Sequence, residues 1–140
     1  EAREAMAYVS LCGGLALANA KLGAVHGFAG PIGGMFPAPH GALCARLLPL
    51  VLEANMNALS ERKPESTAIA KMQDLAVILT GDTAATMKDG VYSVHTLCSG
   101  FSVPSLSKWG ITEDRIPEIV SKSSGACLRV GSSPTSGTIS

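Results

Sequence analysis

Residues 23–41 read GAVHGFAGPIGGMFPAPHG. Two of the chain's three histidines, His26 and His40, stand there among glycine, proline and small apolar side chains. Gly23 can end a preceding helix, and residues 24–32 have the spacing of a short helix of their own. Residues 33–39 cluster glycine and proline, so a loop is expected. From His40 the run GALCARLLPLVLEAN resumes helical spacing through Leu43, Leu47, Leu50 and Val51. The stretch therefore reads as helix, turn, helix, with one histidine on each arm.

Outward from it the chain holds helical patterns and almost no strand alternation. Over residues 1–21, Met6, Val9, Leu11, Leu15 and Leu17 wrap most of the circumference, which predicts a helix buried inside a bundle. Gly13 and Gly14 weaken that helix by about 1 kcal/mol each relative to alanine, so another backbone or a ligand is expected to approach there. Pro49 predicts a kink or break in the third helix. Residues 60–63 form a polar connection, and Pro64 suits the first turn of a helix over 65–80 closed by Gly81. Asp82 or Thr83 is expected to cap a helix that runs to Ser99 with Met87, Val91, Val94 and Leu97 inward. A turn over 104–110 carries Trp109, and Thr112, Glu113 and Asp114 open a last helix over 116–122. After Gly125 the composition turns to Ser, Gly, Pro and Thr, and no regular structure is expected. The expected fold class is all-α, a bundle of roughly five to seven helices.

Composition narrows the function. The chain has 140 residues, 46 % apolar and 4 % aromatic, enough for one aliphatic core. Eleven basic and eleven acidic residues cancel, leaving no field to draw in nucleic acid or an anionic membrane. The most apolar run, over 5–20, includes Ser10 and Asn19 and falls short of the ~18–20 residues that span a bilayer. It also lacks a secretory signal's charged start and cleavage site. Cys12, Cys44, Cys98 and Cys127 form no Cys-x-x-Cys pair, which argues against a structural zinc clip. Three of the four fall in helical patterns that look buried, and all read as reduced thiols of a cytoplasmic protein.

Neutral imidazole is a common ligand of Zn²⁺ and Fe²⁺. His26 on a helix and His40 at the start of the next can converge across a glycine-rich return. The pattern also fits two ordinary surface or core histidines, and two ligands do not complete a site, since catalytic zinc takes three protein ligands. His95 lies in a helical pattern without a nearby ligand partner and reads as structural. Asp82, Asp89, Glu113, Asp114 and Glu118 fall at helix starts or on polar faces, where capping and solvation account for them. Gly33-Gly34 is no dinucleotide fingerprint, because no strand precedes it.

The stretch GAVHGFAGPIGGMFPAPHG followed by ALCARLLPLVLEAN resembles the signature region of the iron-containing (group III) alcohol dehydrogenases. The resemblance extends upstream through LCGGLALANAKLGAVH. Downstream it runs through VPSLSKWGITEDRIPEIV to SKSSGACLRVGSSPTSGTIS, where the family has a Gly/Cys loop and a final helix.

The resemblance implies an all-helical C-terminal domain with a divalent metal, iron or sometimes zinc, in a cleft beside a dinucleotide-binding domain. Four family residues hold the metal: an aspartate and a histidine on one helix, then two histidines that match His26 and His40. It implies NAD(P) as hydride partner and a small alcohol or aldehyde as substrate. Residues 1–125 then correspond to the helical metal-binding domain, and residues 126–140 to an irregular tail leading to a final helix absent from this sequence. Many members carry another histidine four residues after the first ligand, where this chain has Gly30. The Asp and His helix and the Gly-rich phosphate loop have no match in the 140 residues. Two expectations follow: a fragment inactive alone, or a stand-alone, non-catalytic helical module that binds a partner or self-associates as a homo-oligomer, even sharing a four-histidine site between two copies.

Overall fold

The computed structural model describes residues 1–20 and 22–128. Among these described residues six α-helices follow in order: α1 (Ala2–Asn19), α2 (Ala24–Met35), α3 (His40–Arg62), α4 (Thr67–Thr80), α5 (Met87–Gly100) and α6 (Ile116–Leu128). Two short 3-10 turns, Leu106–Trp109 and Glu113–Arg115, link α5 to α6. Among the described residues there is no strand, and the all-α expectation holds.

The core gathers where α2, α3 and α6 meet. Ala29 and Ile32 of α2, Leu43 and Leu47 of α3, Ile111, and Ile119 of α6 form one buried cluster. Ala29 and Leu43 lose all exposure, and the alanine lets α3 come close to α2. Met56 extends the buried line toward Ala76 of α4 and Val91 and Val94 of α5. α3 therefore serves as the central post. It is also the one described helix long and apolar enough to cross a membrane, reaching mean hydropathy 1.2 over 18 residues, yet its buried side chains face its neighbours in this bundle.

Local chemistry explains most helix ends. Ser66 caps α4 by accepting from the Ala68 N–H at 3.2 Å, and Gly81 ends it at φ 73°, where a Cβ would be strained. α5 starts at Met87, later than expected, because Thr86 and Asp89 form a reciprocal capping box. The Asp89 N–H donates to Thr86 Oγ1, while Thr86 N–H donates to the Asp89 carboxylate at 2.7 Å. Asp82 instead shapes the preceding turn, accepting from the Ala84 N–H at 2.8 Å.

Several expectations are corrected. α1 is helical as its alanine and leucine content dictates, but none of its residues is buried. A Cβ at Gly13 or Gly14 would meet nothing within 4 Å, so among the described residues no close approach occurs there. The loop expected over 33–39 shrinks to four residues, because α2 continues through Gly33 and Gly34 to Met35. α3 runs unbroken past buried Pro49 and on to Arg62, through most of the expected polar connection. Leu97 on α5 faces solvent rather than the core. α6 extends to Leu128, past the Gly125 boundary, while the tail over 129–140 lies outside the described residues. Cys12 is exposed, Cys44 and Cys98 are half-buried, and all three are free thiols; the side chain of Cys127 lies outside the described residues.

Candidate metal centre

His26 occupies the first turn of α2, and His40 is the first residue of α3. Between them, residues 36–39 make the return. The Phe36 N–H closes α2 on the Ile32 carbonyl at 2.9 Å, and the Leu43 N–H opens α3 on the Pro39 carbonyl at 3.0 Å. Pro39, held at φ −61°, presets the entry into α3. Packing of Ala29 and Ile32 against Leu43 then sets α2 and α3 side by side, which brings the two imidazoles together. Their ring centroids lie 5.4 Å apart, with the planes inclined at 49°.

A third donor joins them. Cys44 lies one turn beyond His40 on the same face of α3, and its Sγ stands 3.5 Å from His40 Nε2. One donor atom from each of His26, His40 and Cys44 falls within 4.8 Å of the others. His26 and Cys44 are half-buried, whereas His40 is exposed, so the cluster opens to solvent on one side. Partial burial pushes the Cys44 thiol above its ordinary value. A set of two imidazoles and a thiol suits a borderline or soft divalent ion rather than Mg²⁺ or Ca²⁺. The sequence signal for Cys44 is the His-x-x-x-Cys spacing, which puts both side chains on one helical face.

The other singled-out residues lie elsewhere. His95 is half-buried on α5 and takes no part in the cluster. Asp89 caps α5, and hydrogen bonds from the Thr86 hydroxyl and N–H hold its carboxyl below the usual range. Glu118 pairs with Lys122 at 2.8 Å and Arg115 at 2.9 Å, and the Lys122 hydrogen bond leads in lowering its carboxyl. Glu113 and Asp114 are exposed in the turn before α6. Gly30, one turn beyond His26, is exposed, and a Cβ there would meet nothing within 4 Å. Among the described residues, that side of α2 is open.

Helices alone, gathering two imidazoles and a thiol at the junction of two of them, define an all-α domain with a candidate divalent-metal site. The family model for "Fe-containing alcohol dehydrogenase family, C-terminal" matches residues 1–133. The chain belongs to that family and corresponds to its C-terminal domain. It is 36 % identical to 1,3-propanediol dehydrogenase of Citrobacter freundii over 84 % of this chain and 30 % of that protein. Alcohol dehydrogenase 4 of Saccharomyces cerevisiae (strain YJM789) is 33 % identical over 81 % of this chain and 28 % of its own length. NAD-dependent methanol dehydrogenase of Bacillus methanolicus is 30 % identical over 99 % of this chain and 35 % of its own. The chain thus spans about a third of the length of these curated relatives. No solved structure matches it significantly.

Proposed function

We propose that this domain supplies His26 and His40 as two ligands of a divalent metal, iron or zinc, in an NAD(P)-linked alcohol dehydrogenase. The observation that carries the reading is the convergence of the two imidazoles at 5.4 Å across the α2–α3 junction. Family membership supports the metal and the alcohol substrate class, and the NAD-dependent name of one relative supports the nicotinamide partner. The chemistry a bound metal supplies there is polarisation of the alcohol or carbonyl oxygen. The residues of this chain hold the imidazoles in place and leave the side of α2 beyond His26 open at Gly30. The remaining ligands and the dinucleotide-binding domain are assigned to residues outside these 140. The same reading places the protein in the cytoplasm, and the buried contacts of α3 favour a bundle helix over a membrane span.

The test is reconstitution. The 140-residue chain alone, given Fe²⁺ or Zn²⁺ and NAD(P)⁺, is expected to oxidise no alcohol. Fused behind the dinucleotide-binding domain of 1,3-propanediol dehydrogenase, in place of the matching segment, it is expected to restore turnover. Robust turnover by the chain alone would overturn the reading.

A second reading is favoured by α1. Met6, Tyr8, Val9, Leu11, Leu15 and Leu17 are each more than half exposed along it. Such an apolar surface favours self-association, and in this alternative the chain is a stand-alone, non-catalytic helical module that self-associates or binds a partner. Size-exclusion chromatography with light scattering is expected to give a dimer or larger species. A clean monomer at high concentration removes this reading.

A further inference from the structure

We propose that the outer face of α5 docks on the same face of a second copy of this chain, with the two α5 helices antiparallel about Thr96. The metal reading plays no part in it, and among the described residues none of α1 lines the surface. An open groove of about 750 Å³ runs between α4 and α5, with Leu79, Tyr92, Thr96, Leu97 and Phe101 on its walls. Tyr92 is 73 % exposed, Phe101 75 % and Leu97 55 %. Residues 75–81 and 90–100 hold no Asp, Glu, Lys or Arg. The one carboxylate at the groove's end, Asp89, is engaged by Thr86. Exposed aromatics on a face without charge are the composition of an interface centre, not of a solvated surface.

The order of side-chain sizes names the occupant. Residues 92, 96 and 100 follow one row of α5 and shrink along it, from Tyr to Thr to Gly. A Cβ on Gly100 would meet nothing within 4 Å, so that end of the row is a hollow. The neighbouring row runs the other way, from Ser93 through Leu97 to Phe101. A twofold axis at Thr96 sets each row against its own reverse, as an isologous interface requires. Tyr92 then fills the space over the partner's Gly100, and Phe101 lies beside the partner's Ser93. Parallel pairing would set ring on ring and leave the hollow empty.

The knob is also held in place. The Val103 N–H donates to the Cys98 carbonyl at 3.1 Å, and Ser102 takes φ 51°, which few residues other than glycine adopt. Phe101 therefore loses little freedom on docking. Two aromatics of about 150–250 Å² each, three-quarters in the open, dominate the face. With Leu79, Leu97 and the bare Gly100 it brings roughly 500–600 Å² per copy, the size of a weak, reversible dimer.

The test is sedimentation equilibrium of the full 140-residue chain, repeated with Leu11→Lys and Leu15→Lys to remove association through α1. A monomer–dimer equilibrium is expected in both. Tyr92→Ala should weaken it by at least about tenfold, the cost of losing a central aromatic anchor. Gly100→Trp adds apolar surface yet should weaken it as much, because it fills the hollow. Tyr92→Ala combined with Gly100→Tyr reverses the row and should recover dimerisation. With serine at positions 12, 44, 98 and 127, Thr96→Cys should form a covalent dimer on mild oxidation, a readout that stands even where Gly100→Trp misfolds. A monomer once α1 is substituted overturns the α5 surface and leaves the α1 reading standing, whereas a monomer in the unsubstituted chain overturns both. A dimer that Gly100→Trp leaves unchanged or tightens overturns the antiparallel docking, as does a Thr96→Cys chain that fails to cross-link.

Discussion

His26→Ala and His40→Ala are each expected to weaken Zn²⁺ binding to this chain by at least about 100-fold, the upper end of what losing even an outer partner of a metal ligand costs. The two imidazoles come from different helices, so neither can replace the other's position around the ion. Removing one leaves a single nitrogen donor from this chain, too few to hold zinc without several waters. The loss should be separable from any folding defect. His40 is exposed and His26 half-buried at the edge of the core, so stability without metal should move within about 0.5 kcal/mol. Thermal unfolding with and without zinc reads both effects at once. At a free zinc concentration 100 times Kd, the unsubstituted chain should gain about 2.7 kcal/mol, and the variants should gain almost nothing. Unchanged affinity in both variants would show that the imidazoles meet for packing alone. The same outcome would remove the functional reading of this junction.

How much of this was legible in the sequence depends on whether a local rule or a distant partner decides each feature. The helices are legible because period and caps act locally. Ser66, Gly81 and the α2–α3 return are written in residue types that have few other uses. The start of α5 is less legible, because Asp82, Thr83 and Thr86 all suit a cap, and Asp89 three residues past Thr86 decides among them. Gly33 and Gly34 read as breakers, yet stay helical. Their cost of about 1 kcal/mol each is set against the packing of Ile32 on Leu43, where α2 meets α3. α1 is the plainest miss. Its apolar circumference states that the helix is suited to being covered, but says nothing of what covers it, and in this chain every residue on it is exposed. At the site, His26 and His40 are legible through their setting. Cys44 is not, because a cysteine in an apolar helical run reads first as a small hydrophobe. Its place in the cluster comes from standing four residues past His40, which His26 of α2 meets across the junction.

Gly90→Ala should destabilise the fold by about 1–3 kcal/mol, the usual cost of forcing an extra methyl into a packed interface. Gly90 on α5 is buried against Ala76 on α4, and a Cβ built on it would stand 2.8 Å from both the Cα and the Cβ of Ala76. That distance is too short for two carbons, and one of the atoms is backbone, so no rotamer change can relieve it. The helices must move apart, which loosens Ala85, Val91 and Val94 in the same layer. Against this, alanine favours an isolated helix over glycine by about 1 kcal/mol, so the sign of the measured change reports which effect wins. Gly34→Ala supplies the contrast: Gly34 is helical and exposed, and a Cβ there meets nothing within 4 Å. That substitution should stabilise by about 0.5–1 kcal/mol. The two variants, made by the same chemical change in one chain, should therefore shift Tm in opposite directions, at about 4 °C per kcal/mol. Ala76→Gly in the Gly90→Ala background should recover only part of the loss, because it removes the opposing methyl and leaves the new one pressed on the α4 backbone. A Gly90→Ala chain as stable as the unsubstituted one would mean that α4 and α5 are not locked at this point. Their separation would then be set by the larger side chains at its rim.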